Sequence, residues 1–205
     1  MCAVARQAEA ILTETNPAAL SKAIAVLAYL KNSHPSITTS EGSHPFTECA
    51  TFADDVKSTY SYQADWHFVD QPFYEQGGSA ADYPGFVMSD TDVVAALTDL
   101  TAFLKGETVS ASSPYISQIQ SSFSNKNDQL SFALRLTIHY MGDIHQPLHT
   151  VSGVDDEYPK GDRGGNSEWI PSVDGVGNLH SLWDSVIYQY PGYPSLVSAI
   201  SWALL

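Results

Sequence analysis

Apolar side chains at Ala5, Ala8, Ile11 and Leu12, then at Leu20, Ile24, Leu27, Ala28 and Leu30, recur at helical spacing, so the chain opens with two predicted helices. Asn16-Pro17 interrupts the pattern. Proline suits a first helical turn, where its missing N–H leaves no bond unmade. Residues 32–48 lose the period and are rich in Ser, Thr, Pro and Gly, which predicts a loop, and a second loop is signalled around residues 76–84. The period returns over 91–104 as a third helix with Asp90 as its N-cap. The strongest helical stripe is Leu130, Ala133, Leu134, Thr137, Ile138 and Met141 within 128–143, after an Asn/Asp cap region, and Pro147 limits its continuation. Residues 151–177, which include GDRGGN, are rich in Gly, Asp and Pro and read as irregular surface with a short hairpin around 168–170. A last helical segment begins near Asn178. With no internal repeat, the fold class is mainly α: a single-domain helical bundle with long irregular loops over residues 1–205.

The composition, 205 residues with 43% hydrophobic and 16% charged, supplies enough apolar material for one core. A formal charge of -14 excludes a protein that grips duplex nucleic acid by broad phosphate neutralisation, and a monomer without stable duplex binding is expected. A metal-centred site stays compatible with that charge, because bound divalent cations invert the local potential. Cys2 and Cys49 are too few for a cysteine-based zinc finger, so any zinc site must use imidazole and carboxylate. The two cysteines either pair as a disulfide or stay as free buried thiols. The apolar run 23–30 is too short to span a bilayer. MCAVARQAEAIL, with Arg6 and Glu9 in an amphipathic pattern, lacks the layout of a signal peptide; either the chain is not exported or its leader has been removed.

Candidate chemistry concentrates in three segments. HYMGDIHQPLH sets His139 and Asp143 four residues apart on one helical face and adds His149 beyond Pro147. NLHSLWD repeats the interval with His180 and Asp184, so a second helix can offer the same imidazole and carboxylate pair. One such pair is commonplace; two in one chain point to metal. FADDVKSTYSYQADWHFVD adds Asp54 and His67 among aromatics. His34, His44 and His145 read as outside the site and Trp66 as a core aromatic. Taken alone, Lys57 is a solvated helix residue, Asp70 a cap or surface charge, and Gly164-Gly165 a tight turn. A purely structural role for all the His and Asp residues would leave several buried without partners.

FADDVK, WHFVD, HYMGDIHQPLH, GGN and NLHSLWD, in this order, resemble the class I zinc-dependent single-strand nucleases and 3′-nucleotidases, which share a helical metal-site fold with the zinc phospholipases C. The resemblance implies that Asp54, His67, His139 and Asp143 hold one zinc, and that His149, His180 and Asp184 hold a second. It also implies a third zinc, bridged by Asp143, but its other ligands, an N-terminal Trp and a nearby His, are absent from this sequence, so that site is expected only where they are present upstream. Met1 aligns at or just after that His, so the natural chain is expected to extend upstream, and also past the C-terminus with another helix. Secreted, vacuolar or surface-bound localisation is implied.

Zinc on imidazole and carboxylate is a Lewis acid that lowers the pKa of its water toward about 7. By resemblance, Lys57 meets the scissile phosphate beside Asp54. Phe68 stacks an unpaired base, Asp70 accepts from the base edge, and Asn166 faces it, with Gly165 permitting close backbone approach. The implied activity is hydrolysis of single-stranded DNA and RNA to 5′-nucleotides, with 3′-nucleotidase action. The alternatives are a zinc phospholipase C, which would need an apolar membrane-facing rim, or a catalytically impaired zinc-binding member. HFVD and GGN favour nucleotides.

Overall fold

The computed structural model describes residues 1–75, 77–173 and 175–185. Gln76, where the second predicted loop begins, and everything past Ser185 lie outside them.

Two helices open the fold, α1 (Cys2–Thr15) and α2 (Pro17–Ser33), broken at Asn16 as the sequence predicts. The Asn16 side chain caps α2 by accepting from the Ala19 N–H at 3.1 Å. Residues 32–48 are less irregular than expected. A 3-10 turn (Pro35–Ile37) and the short helix α3 (Pro45–Glu48) form there, because Pro45 starts a turn and the Glu48 carboxylate accepts from the N–H groups of Gly42 and His44 at 2.7 and 2.9 Å. A 3-10 turn (Cys49–Thr51), the short helix α4 (Phe52–Asp55) and a 3-10 stretch (Ser61–His67) follow.

Helix α5 spans Val93–Lys105, and Asp92, not Asp90, is its cap, accepting from Ala95 N–H at 2.8 Å. The correction follows from packing: Val93, Ala96, Leu100 and Phe103 are the buried stripe, so the first turn starts at Val93. Helix α6 (Pro114–Ser122) was not predicted; Pro114 starts it and Ser113 caps it. Helix α7 (Lys126–Asp143) is the axis, packed against α1, α2, α5 and α6. Phe132, Ala133, Leu136 and Tyr140 are wholly buried along it. Arg135 is buried there too, donating bidentately to Glu41 at 2.5 and 2.6 Å and to the Leu27 carbonyl at 2.9 Å, which ties the loop around Glu41 to α2 and α7.

After a 3-10 turn (Pro147–His149), strand β2 (Val151–Val154) pairs in parallel with β1 (Gln71–Tyr74), which places Phe68 and His149 at one end of the pair. Strands β3 (Trp169–Val173) and β4 (Val176–Asn178) form the predicted hairpin, longer than expected, and lead into α8 (Leu179–Ser185). Among the described residues no helix is long and apolar enough to cross a membrane.

The cysteines are not joined. Cys2 is an exposed free thiol at the start of α1, and Cys49 is buried, its Sγ donating to the Phe46 carbonyl at 3.3 Å. Burial pushes the Cys49 thiol far above its ordinary pKa, so it sits in the core as a small neutral group.

Candidate metal centre

The last turns of α7 carry His139 and Asp143 on one face, both buried at 0% and 1% exposure. His139 Nδ1 lies 2.7 Å from the Ala50 carbonyl oxygen. A carbonyl only accepts, so Nδ1 carries the hydrogen and Nε2 keeps its lone pair. That Nε2 faces Asp143 Oδ2 at 3.2 Å, His67 Nδ1 at 3.2 Å and Asp54 Oδ2 at 3.8 Å. His67, at the end of the Ser61–His67 stretch, sets Nδ1 2.8 Å from Asp143 Oδ2.

One ligand atom from each of Asp54, His67 and His139 lies within 4.8 Å of the others, a group that can hold a metal ion. A lone pair of His139 and carboxylate oxygens of Asp143 and Asp54 thus converge on one small volume. Such a donor set repels itself without a cation and fits a divalent metal of the zinc type.

The second predicted set adjoins the first. His149 sends Nδ1 to the His67 carbonyl at 3.1 Å, with Asp143 Oδ1 at 3.8 Å. Burial lowers its pKa, against a smaller opposing pull from Asp143, which favours the neutral ring a metal requires. His180, in the first turn of α8, sends Nδ1 to the Gly164 carbonyl at 2.7 Å, leaving Nε2 3.6 Å from Asp184 Oδ2. The rings of His149 and His180 stack at 5.1 Å, and Gln146 Nε2 donates to Asp184 Oδ1 at 2.5 Å. A continuous path of contacts therefore links Asp54, His139, His67, Asp143, His149, His180 and Asp184.

The expected substrate residues border this path unevenly. Lys57 Nζ lies 3.6 Å from Asp54 Oδ1, both side chains about half exposed. The Phe68 ring is 4.6 Å from that of His149. Asp70, at a left-handed φ of 52°, has its carboxyl pKa raised by burial and by Asp65 and Asp162. Gly165, at φ 75°, donates its N–H to Asp162 Oδ2 at 2.9 Å and accepts from His180 N–H at 3.2 Å. The Asn166 amide is engaged within its own loop, donating to the Arg163 carbonyl at 2.9 Å rather than bonding to Asp70.

His145 is exposed, with Nδ1 2.7 Å from the Met141 carbonyl oxygen. Trp66 is buried against Tyr115. Sequence reasoning missed the groups that hold the histidines: Gln63, Tyr140 and the carbonyls of Ala50 and Gly164. The one sequence signal for Gln63 was its place four residues before His67.

The S1/P1 Nuclease family model matches residues 2–195. Endonuclease 2 of Arabidopsis thaliana is 30% identical over 141 residues, 67% of this chain and 42% of that protein. Endonuclease 5 of the same plant is 33% identical over 97 residues, 42% of this chain and 30% of its own length. Nuclease S1 of Aspergillus oryzae is 28% identical over 138 residues, 66% of this chain and 39% of its own length. The matched region thus spans less than half of each of these relatives. No solved structure matches the chain.

Proposed function

This chain belongs to the S1/P1 nuclease family, and from that premise we propose that it hydrolyses phosphodiester bonds of single-stranded DNA and RNA with zinc, releasing 5′-nucleotides, and acts on 3′-nucleotides. The observation that carries the reading is the contact path through Asp54, His67, His139, Asp143, His149, His180 and Asp184, in which His139, His149 and His180 each have one ring nitrogen engaged by a main-chain carbonyl. Asp54, His67, His139 and Asp143 would hold one zinc, and His149, His180 and Asp184 a second. Zinc in such sites supplies Lewis acidity toward phosphoryl oxygens and acidifies water near neutral pH.

The remaining work falls to the chain's own side chains. Lys57, half exposed beside Asp54, adds positive charge where negative charge grows on the scissile phosphate. Phe68 offers a ring face to an unpaired base, which a base already stacked in duplex cannot use. Asp70, with its raised pKa, is placed to share hydrogen bonds with a base edge. The engaged Asn166 amide must leave the Arg163 carbonyl to join it. The formal charge of -14 disfavours stable duplex binding, and we take the protein to act as a monomer in a secreted, vacuolar or surface-bound setting.

The test compares purified protein on single-stranded DNA, single-stranded RNA, a 3′-nucleotide and phosphatidylcholine, before and after chelation. The reading predicts cleavage of the nucleic acids, lost on chelation and restored by zinc. Phe68→Ala should weaken substrate binding by about 1–3 kcal/mol, the worth of one stacked base. Preferential cleavage of phosphatidylcholine would replace the reading with a phospholipase; zinc binding without turnover on any substrate would replace it with an impaired member.

A further inference from the structure

Resting on the metal-centre reading above, we infer that Gln63 is a positioning residue: it holds the hydrogen of His67 on Nε2 and so turns the Nδ1 lone pair toward the first metal position. Gln63 is wholly buried, and its Nε2 lies 2.6 Å from the Ala53 carbonyl oxygen. That carbonyl can only accept, which settles which end of the amide faces it. The amide oxygen must therefore be the atom meeting Tyr140 Oη at 2.6 Å and His67 Nε2 at 3.1 Å. An amide oxygen only accepts, so both partners donate. Tyr140 is a neutral phenol, whose O–H donates to the amide oxygen. His67 Nε2 carries a hydrogen, and Nδ1 is left on the side of Asp143 and His139.

His67 differs here from the other ligand histidines. The rings of His139, His149 and His180 are held by the main-chain carbonyls of Ala50, His67 and Gly164, which no substitution removes. His67 depends on a side chain. Ala50, Ala53 and Asp54 share one short stretch of chain, so a single segment supplies a ligand, the acceptor for His139 and the anchor for Gln63. Ordering that segment orders the first site.

The experiment uses the full chain with and without zinc. Long-range proton–nitrogen NMR reads the ring nitrogens, and competition with a chromophoric chelator reads zinc affinity. In the wild type His67 Nε2 keeps its hydrogen in both forms. Gln63→Met keeps bulk but removes the acceptor; it should free that hydrogen to exchange with solvent and weaken first-site zinc binding by about 10–100-fold. Tyr140→Phe also loses a buried hydrogen bond but leaves the amide oxygen on His67, so it should keep the hydrogen on Nε2 and zinc affinity at the wild-type level. An unprotonated His67 Nε2 in the wild type, or equal loss of zinc affinity in both variants, overturns the proposal. If Gln63→Met does not fold, the wild-type ring spectrum alone decides it. A wild type that takes up no zinc overturns the metal-centre reading instead, while the Nε2 hydrogen in that metal-free chain still tests the Gln63 contact.

Discussion

Gly164→Ala probes how the loop builds the second half of the centre. Gly164 sits at φ 59°, and a Cβ there would come within 3.0 Å of the Leu148 carbonyl oxygen, a main-chain atom that no rotamer change can move aside. The left-handed backbone costs a residue with a Cβ about 1–2 kcal/mol before any displacement. The clash must then push apart the Pro147–His149 turn and the loop whose Gly164 carbonyl accepts from His180 Nδ1 at 2.7 Å, and both of these hold a ligand in place. With His180 released from its acceptor, second-site zinc affinity should fall by about 10–100-fold. Gly106→Ala supplies the control. Its φ is 75° at the end of α5, yet a Cβ there meets nothing within 4 Å. It should show the backbone cost alone, a fall in Tm of about 2–8 °C for a chain of this size, with zinc binding intact. Thermal melts by circular dichroism and a chelator-competition titration read both quantities. If Gly164→Ala melts no lower than Gly106→Ala and binds zinc like the wild type, the role assigned to this loop is wrong.

Three further outcomes are expected. Glu41→Ala strands the buried Arg135 guanidinium and should cost about 3–5 kcal/mol in urea unfolding; a loss below about 1 kcal/mol would mean that water or another acceptor reaches it. Lys57→Ala should lower kcat on single-stranded DNA by on the order of 100-fold while zinc content is unchanged, and zinc loss instead would place Lys57 in holding Asp54. Because folding raises the Asp70 pKa, its ionised form opposes folding at neutral pH, and this penalty fades as the carboxyl protonates in acid. Asp70→Asn, which tolerates the left-handed backbone, should therefore melt higher than wild type at neutral pH, with the gap closing below about pH 4; a pH-independent gap would contradict the assignment.

What could be read from the sequence was what local period records. Helix α7 and the Asn16-Pro17 break follow from apolar spacing and proline chemistry, and the proposed ligand pairs His139 with Asp143 and His180 with Asp184 follow from a helical turn. Helix α6 escaped because PYISQIQSS mixes short polar residues with only two turns of stripe. The β1–β2 pair escaped because its partners, Gln71 and Val151, are far apart in sequence and one strand holds Pro72. The Asp90 assignment failed by two residues because the choice of cap depends on which turn packs, and packing is not local. Gln63 was hidden for the same reason: its partners Ala53 and Tyr140 lie 10 and 77 positions away. Chemistry that needs a ligand type at a fixed interval shows in one dimension, whereas the acceptors that aim those ligands show only once the chain is folded.

Diffraction from crystals grown with zinc, recorded on both sides of the zinc absorption edge, addresses the metal centre directly. One anomalous peak should lie among Asp54, His67, His139 and Asp143, and another among His149, His180 and Asp184. Peaks confined to surface carboxylates, with these side chains bonded only to one another, would show that the cluster is a polar core and not a metal centre.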